Sequence, residues 1–170
     1  MPLKEAGISC PIIGLNGAEI RNEEGAILNK LPLEKEWCRT IQKALEKESV
    51  YIEFFTNQGV FSKSMEHYID IRMQLKMERF PEADETIMRK EVRKRAEERF
   101  KYEHCQFVND FEGIYQDEQL IVYKILVLSA NNEELARIEN QLAGHSEFTI
   151  TSSERGNVEF NHPEAQKGLA

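Results

Sequence analysis

The sequence predicts an α+β fold in which an antiparallel sheet carries helices on one face. Residues 33–62 and residues 132–160 each have the pattern of a helix followed by a strand, a turn and a second strand. The same architectural unit therefore occurs twice, without matching sequence. Residues 120–128 are apolar except for Lys124, which is typical of an inner strand. Two such units side by side predict one antiparallel sheet.

Composition limits the classes of protein to which the chain can belong. The 170 residues are 41% hydrophobic, enough for one sizeable core and one domain. Lys and Arg number 22 against 30 Asp and Glu, a net charge of -8, which argues against a nucleic-acid partner. No apolar run approaches the roughly 20 residues that span a bilayer, and the N-terminal residues lack a signal-peptide pattern. We therefore expect a cytoplasmic protein without a membrane partner.

The first thirty residues predict a strand, a turn and a hairpin. The apolar residues 12–15 indicate a short buried strand that ends at Asn16-Gly17, where positive backbone angles permit a sharp turn. Residues 18–21 and 26–29 then alternate on either side of a turn that Gly25 closes. Strand ends of this kind are common places for functional sites.

Helical spacing of apolar residues predicts the next elements. Residues 33–48 have a single apolar face and precede the strands 50–55 and 60–62. Two further helices carry apolar stripes, which are Tyr68, Ile71 and Leu75 in the first and Met88, Val92, Ala96 and Phe100 in the second. The second helix also carries a basic run mixed with glutamates. For that run the pattern favours a solvated face held by charge pairs over an anion-binding patch.

The C-terminal unit begins at Asn131, the predicted N-cap of a helix with Glu134 three residues later. A hairpin follows, with strands near residues 148–151 and 158–160.

Motifs for chemistry are scarce in this sequence. Cys10, Cys38 and Cys105 are odd in number and lack a C-x-x-C pair, which predicts reduced thiols without a zinc site. The histidines are far apart and favour surface or capping roles over metal binding. No glycine-rich phosphate loop, G-x-S-x-G elbow or Asp-x-Asp pair occurs. By motif alone the chain is not a complete enzyme.

Both ends of the chain resemble a known family. The run from Ile13 through Asn16-Gly17, followed by Glu24-Gly25 and then by Lys30-Leu-Pro-Leu, resembles the segment after the first half of the catalytic domain in Cof-type phosphatases of the haloacid dehalogenase superfamily. Residues 157–170 resemble the place where that family's type IIB cap returns to the core, at a Lys-Gly pair. The resemblance implies that residues 1–17 are a stub of a Rossmann-like core and hinge, residues 18–161 are a cap domain and residues 162–170 are a return stub.

The resemblance also implies roles for individual residues. Lys167 matches the family's third-motif lysine, which neutralises charge beside the substrate phosphate; the alternative is a solvated lysine at a helix start. Asn16 and Gly17 match the Asn-Gly at the mouth of the family's active site, and the alternative is an ordinary turn. The family's nucleophile and acid aspartates, its second-motif Ser or Thr and its magnesium-binding Gly-Asp have no counterpart in this sequence.

The resemblance implies the substrate-selecting cap segment of a magnesium-dependent phosphatase that acts on a small phosphorylated metabolite. The segment is expected to be inactive alone and to hold no cofactor or metal itself. Mg²⁺ belongs to the full-length parent, and a missing catalytic core domain is the expected partner. The alternative is a free-standing α+β module that binds a ligand or a protein and has no catalytic activity.

Overall fold

Residues 7–165, which a computed structural model describes, are organised around a six-stranded sheet with strand order β6-β5-β4-β7-β9-β8. Its neighbouring strands are antiparallel except for the pair β5 and β6. The elements in chain order are β1 (Ile12–Gly14), a 3₁₀ turn (Leu15–Gly17), β2 (Glu19–Arg21), β3 (Ile27–Lys30), α1 (Lys35–Leu45), β4 (Tyr51–Thr56), β5 (Gly59–Ser62), α2 (Met65–Arg79), α3 (Glu85–Tyr102), β6 (Gln106–Phe107), α4 (Glu112–Gln116), β7 (Val122–Leu128), α5 (Asn132–Leu142), β8 (Thr149–Thr151) and β9 (Asn157–Asn161).

Strand β7 lies inside the sheet, as predicted from its apolar sequence. It pairs with β4 from Tyr51 opposite Leu128, and with β9 from Lys124 opposite Asn161. Its side chains are buried except for the half-buried Lys124. The two predicted helix-strand-strand units are confirmed as α1-β4-β5 and α5-β8-β9.

One face of the sheet packs against α1, α4 and α5. Phe54, Ile125 and Phe160 are fully buried there, beside Ile41 of α1 and Ile138 of α5. Burying one such side chain stabilises the fold by about 1.5–3 kcal/mol. This face forms the larger part of the core.

The opposite face carries α2 and α3, so the prediction that the helices share one face is wrong. The predicted α3 stripe is buried against Tyr51, Leu126 and Leu128, together with residues of α2. The physical reason lies in β4 and β7, which carry buried apolar side chains on both faces. Ile125 faces the first group of helices, whereas its neighbour Leu126 faces the second.

The basic run of α3 forms ion pairs with neighbouring elements. Arg89 contacts Asp70 and Arg93 contacts Glu66, both on α2, at 2.6 Å. Arg99 reaches the sheet and binds the buried carboxylate of Glu53 through two hydrogen bonds of 2.7 and 2.6 Å. These contacts fit a face held by charge pairs, and the pairs join α3 to α2 and β4.

The N-terminal strands form a separate three-stranded antiparallel sheet, β1-β2-β3. The predicted hairpin of β2 and β3 is confirmed. β1 pairs antiparallel with β2 and is not buried among the described residues, since Ile13 is 43% exposed. The expected burial of residues 12–15 is therefore wrong for this strand. Within residues 7–165, no helix is long and apolar enough to cross a membrane.

Candidate functional site

A polar cleft lies on the face of the sheet that α2 and α3 cover only in part. Its volume is about 420 Å³, and its lining residues are Asn16, Thr149, Thr151, Ser152, Ser153, Glu159, Asn161 and Ala165. Strand pairing places Thr149 opposite Asn161 and Thr151 opposite Glu159. Glu159 also pairs with Leu126, so these polar side chains share the face of α2 and α3. Polar residues on one face of neighbouring strands form the floor of the cleft.

The wall of the cleft is the turn Leu15–Gly17, which carries Asn16 over the sheet. Leu15, Asn16 and Gly17 have φ angles of 49°, 62° and 103°. This left-handed backbone suits Asn and Gly, and it strains Leu. The Asn16 Nδ2 atom donates to Glu159 Oε2 at 2.7 Å and to Asn161 Oδ1 at 3.2 Å. A turn near the N-terminus is thus bound to the last strand.

Glu159 is the centre of the hydrogen-bond network in the cleft. It is 7% exposed, and its Oε1 atom lies 3.4 Å from Lys124 Nζ and accepts from Ser153 Oγ at 3.2 Å. A buried carboxylate requires such partners because isolation from water destabilises its charge. Asn161 extends the network by donating from Nδ2 to Thr151 Oγ1 at 3.1 Å. The cleft therefore offers fixed donors and acceptors.

Comparison with protein families settles the relationship of the chain. The family model described as haloacid dehalogenase-like hydrolase matches residues 2–170. This chain belongs to that family. Among curated proteins it is similar to phosphatase YwpJ of Bacillus subtilis (strain 168), at 26% identity over 166 residues. The match covers 96% of this chain and 57% of YwpJ.

Solved structures agree with the haloacid dehalogenase-like hydrolase family in fold. A hydrolase of this kind from B. subtilis superposes with a TM-score of 0.78 at 24% identity, covering 98% of this chain and 58% of its own. One from Bacteroides thetaiotaomicron gives 0.65 at 17% identity, with coverages of 98% and 53%. A sugar phosphatase of HAD subclass IIB gives 0.61 at 14% identity, with coverages of 99% and 52%. The chain spans little more than half the length of these relatives.

Two of the predicted site residues of this haloacid dehalogenase-like chain lie at the cleft. Asn16 lines it, and the buried Gly17 completes the turn that holds Asn16. Lys167 lies outside the described residues, and Ala165 is the lining residue nearest to it in sequence.

Sequence reasoning missed Glu159, Asn161, Thr151 and Lys124. The sequence contained a signal for Thr151, Glu159 and Asn161, because polar residues alternate with apolar ones along both strands of the last hairpin. That alternation marks a strand face that lacks apolar cover.

Behind the cleft, a small buried cluster joins the residue before β2 and a residue after β9 to a tyrosine of β7. Ala18 and Ala165 pack against Tyr123, which is 1% exposed. Within residues 7–165 its hydroxyl makes no hydrogen bond of normal geometry. Burial and the nearby Glu19 carboxylate raise the pKa of Tyr123, which keeps the phenol neutral.

The magnesium expected of the family has no ligand set in this part of the chain. Residues 7–165 contain no cluster of three or more His, Cys, Asp or Glu side chains arranged to hold a metal ion. Carboxylate oxygens are the usual protein ligands of Mg²⁺. The described residues therefore do not fit the ion.

Proposed function

We propose that this chain supplies the substrate-selecting cap of a magnesium-dependent phosphatase that acts on a small phosphorylated metabolite. Residues 18–161 form the cap, and residues 1–17 and 162–170 lead to a catalytic core. The observation that carries the proposal is the polar cleft, where Asn16 of the hinge turn is bound to Glu159 of the sheet. A cleft at a hinge closes on a substrate when the two parts of a protein approach each other.

The proposed division of labour follows from the chemistry of phosphoryl transfer. That reaction depends on fixed charges and on positioning, and it leaves the non-reacting part of the substrate to be recognised elsewhere. The cleft provides neutral polar groups for this purpose, with its lysine and glutamate paired to each other. Membership of the haloacid dehalogenase-like hydrolases and the similarity to phosphatase YwpJ support the phosphatase reaction.

In this proposal the core supplies Mg²⁺ and the nucleophile. Lys167 is the residue of this chain that neutralises charge at the transferring phosphate. The three-stranded sheet carries exposed apolar side chains, since Ile13, Ile27 and Leu28 are 43%, 48% and 63% exposed. In this proposal the sheet contacts the core, which covers apolar surface that the described residues leave exposed.

The first test is the activity of the 170-residue chain itself. With MgCl₂ and p-nitrophenyl phosphate we expect no turnover, because the sequence has no Asp-x-Asp pair and the described residues have no metal site. Turnover that survives repurification and disappears when the chain is mutated would contradict the cap assignment.

The second test transplants the cleft. Residues 18–161 replace the corresponding segment of B. subtilis YwpJ, and unmodified YwpJ is the control. We expect a changed ranking among phosphate esters, with Mg²⁺-dependent turnover retained, because the cap contacts the leaving group and the core performs the reaction. An active chimera with the substrate ranking of YwpJ would contradict the proposal.

A further inference from the structure

The turn that follows the last strand of the sheet is capped by a histidine side chain. His162 comes directly after β9, and its Nδ1 atom accepts a hydrogen bond of 3.1 Å from the backbone N–H of Glu164. The backbone N–H of Ala165 donates to the His162 carbonyl oxygen at 2.9 Å. An imidazole nitrogen accepts a hydrogen bond only when it carries no proton, so this geometry requires the neutral ring with its proton on Nε2. The cap therefore depends on the charge of His162.

The same ring meets the single tryptophan of the sequence. The ring centroids of His162 and Trp37 lie 6.0 Å apart, with an angle of 41° between the two planes. Trp37 belongs to the first turn of α1, and both side chains are half-buried. An indole attracts a cation at about this distance, so a protonated His162 keeps its contact with Trp37 while it loses the hydrogen bond from Glu164.

The turn of residues 162–165 joins the large sheet to the small buried cluster behind the cleft. Ala165 ends this turn, is 7% exposed and packs with Ala18 against Tyr123. A short connection that loses its side-chain cap opens more often, because few other contacts hold such a segment in place. In the proposed cap the same turn begins the connection that leads to Lys167. A change at His162 therefore reaches that connection.

We propose that His162 is a pH-sensitive latch, which holds the turn of residues 162–165 while its ring is neutral and releases that turn when its ring is protonated. Imidazole is the side chain that ordinarily changes charge between pH 5 and 8. The acceptor is present at the higher pH and is lost as the pH falls, because an N–H at Nδ1 then faces the N–H of Glu164. This inference goes beyond the proposed function, since it concerns the control of a connection and not the binding of a substrate.

Charged groups on neighbouring elements surround the two rings, and the experiment has to leave them unchanged. Glu164 carries a carboxylate on the turn itself. Four further charged residues line the same cavity as Trp37, namely Lys30 of β3 and Glu34, Lys35 and Glu36 at the start of α1. A substitution at His162 keeps all of these groups in place, so it isolates the contribution of the imidazole.

Three variants of the 170-residue chain separate the charge of His162 from its packing. His162→Asn places an amide oxygen where Nδ1 lies, so it keeps an acceptor for the turn and cannot be protonated. His162→Leu keeps an apolar side chain beside Trp37 and removes the acceptor. His145→Asn is the matched control, because His145 is an exposed histidine that stacks on Phe148.

The first measurement is the fluorescence of Trp37 between pH 7.5 and pH 5. A protonated imidazole quenches indole fluorescence more strongly than a neutral one does. The emission should fall with pH in the parent chain and in His145→Asn, and it should stay level in His162→Asn and His162→Leu. A constant emission in the parent, or the same fall in His162→Asn, would overturn the proposal.

The second measurement is the hydrogen exchange of the Glu164 backbone amide by NMR, with variants compared at equal pH. At pH 7.5 the parent and His162→Asn should protect this amide equally. At pH 5 the protection in the parent should fall about fivefold, to the level of His162→Leu, while His162→Asn retains it. Equal protection in the parent and in His162→Asn at pH 5 would show that protonation does not release the turn, and it would refute the latch. The YwpJ chimera measures the cap function separately, so failure of one proposal leaves the other standing.

Discussion

Arg99→Met removes the charged partner of a carboxylate that is fully buried. Glu53 is 0% exposed, and its oxygens accept two hydrogen bonds from Arg99 and one of 2.7 Å from the Tyr51 hydroxyl. Methionine fills much of the volume of the arginine stem, so the change isolates the loss of charge. After the substitution the tyrosine hydroxyl is the remaining hydrogen-bond partner of Glu53 in the described structure.

The expected loss of stability is large. Breaking a buried ion pair from one side costs about 3–5 kcal/mol, because the remaining charge stays buried without compensation. That loss is a large part of the total stability of a domain, which is about 5–15 kcal/mol. For a protein of this length, each kcal/mol lowers Tm by about 2–4 °C, so a fall of about 6–20 °C is expected.

Urea denaturation followed by circular dichroism measures this loss, with thermal melting as a second readout. Arg93→Met on the same helix is the control, since the pair Arg93–Glu66 is exposed and screened by water. The double variant Glu53→Met, Arg99→Met should recover part of the loss, because no buried charge remains. A loss for Arg99→Met no larger than that of Arg93→Met would refute the reasoning.

Three further changes test other parts of the fold. Tyr123→Phe removes a hydroxyl that makes no hydrogen bond of normal geometry within residues 7–165, and it should leave the free energy of unfolding unchanged or slightly higher. Tyr51→Phe breaks a buried hydrogen bond and should lower the free energy of unfolding by about 1 kcal/mol, and equal urea midpoints for the two variants would contradict this. Asn131→Ala removes the N-cap of α5 and should cost about 1 kcal/mol in the same assay, and an unchanged midpoint would show that the cap is dispensable. Burial raises the pKa of the Cys38 and Cys105 thiols to about 12, so little thiolate exists at pH 8, and both should react with Ellman's reagent only on unfolding. Fast labelling of three thiols in the native chain would be the contrary result.

Local periodicity predicted the helices and most strands because it depends on neighbours in sequence. The buried stripe from Met88 to Phe100 follows from helical spacing alone. The side of the sheet on which α3 packs depends instead on Tyr51 and Leu126, which are distant in sequence. The parallel pairing of β6 with β5 also could not be predicted from the sequence, because the two residues Gln106–Phe107 are too few to show a periodic pattern.

In the candidate site, too, local features could be predicted from the sequence and contacts between distant residues could not. Asn16-Gly17 was recognised because a left-handed turn has a strong local signature. Its partner Glu159 is 143 residues away, and nothing local links the two. Asn131 was correctly predicted as an N-cap, but Glu134 accepts from the Ser129 hydroxyl at 2.6 Å and does not complete a capping box.

The contact of Ala18 and Ala165 with Tyr123 brings together two residues from near the two ends of the described chain. A segment whose ends lie close together closes like a short loop, so joining it to another fold costs little chain entropy. In the proposed cap, both connections to the core therefore leave from one point, beside the cleft that contains Asn16.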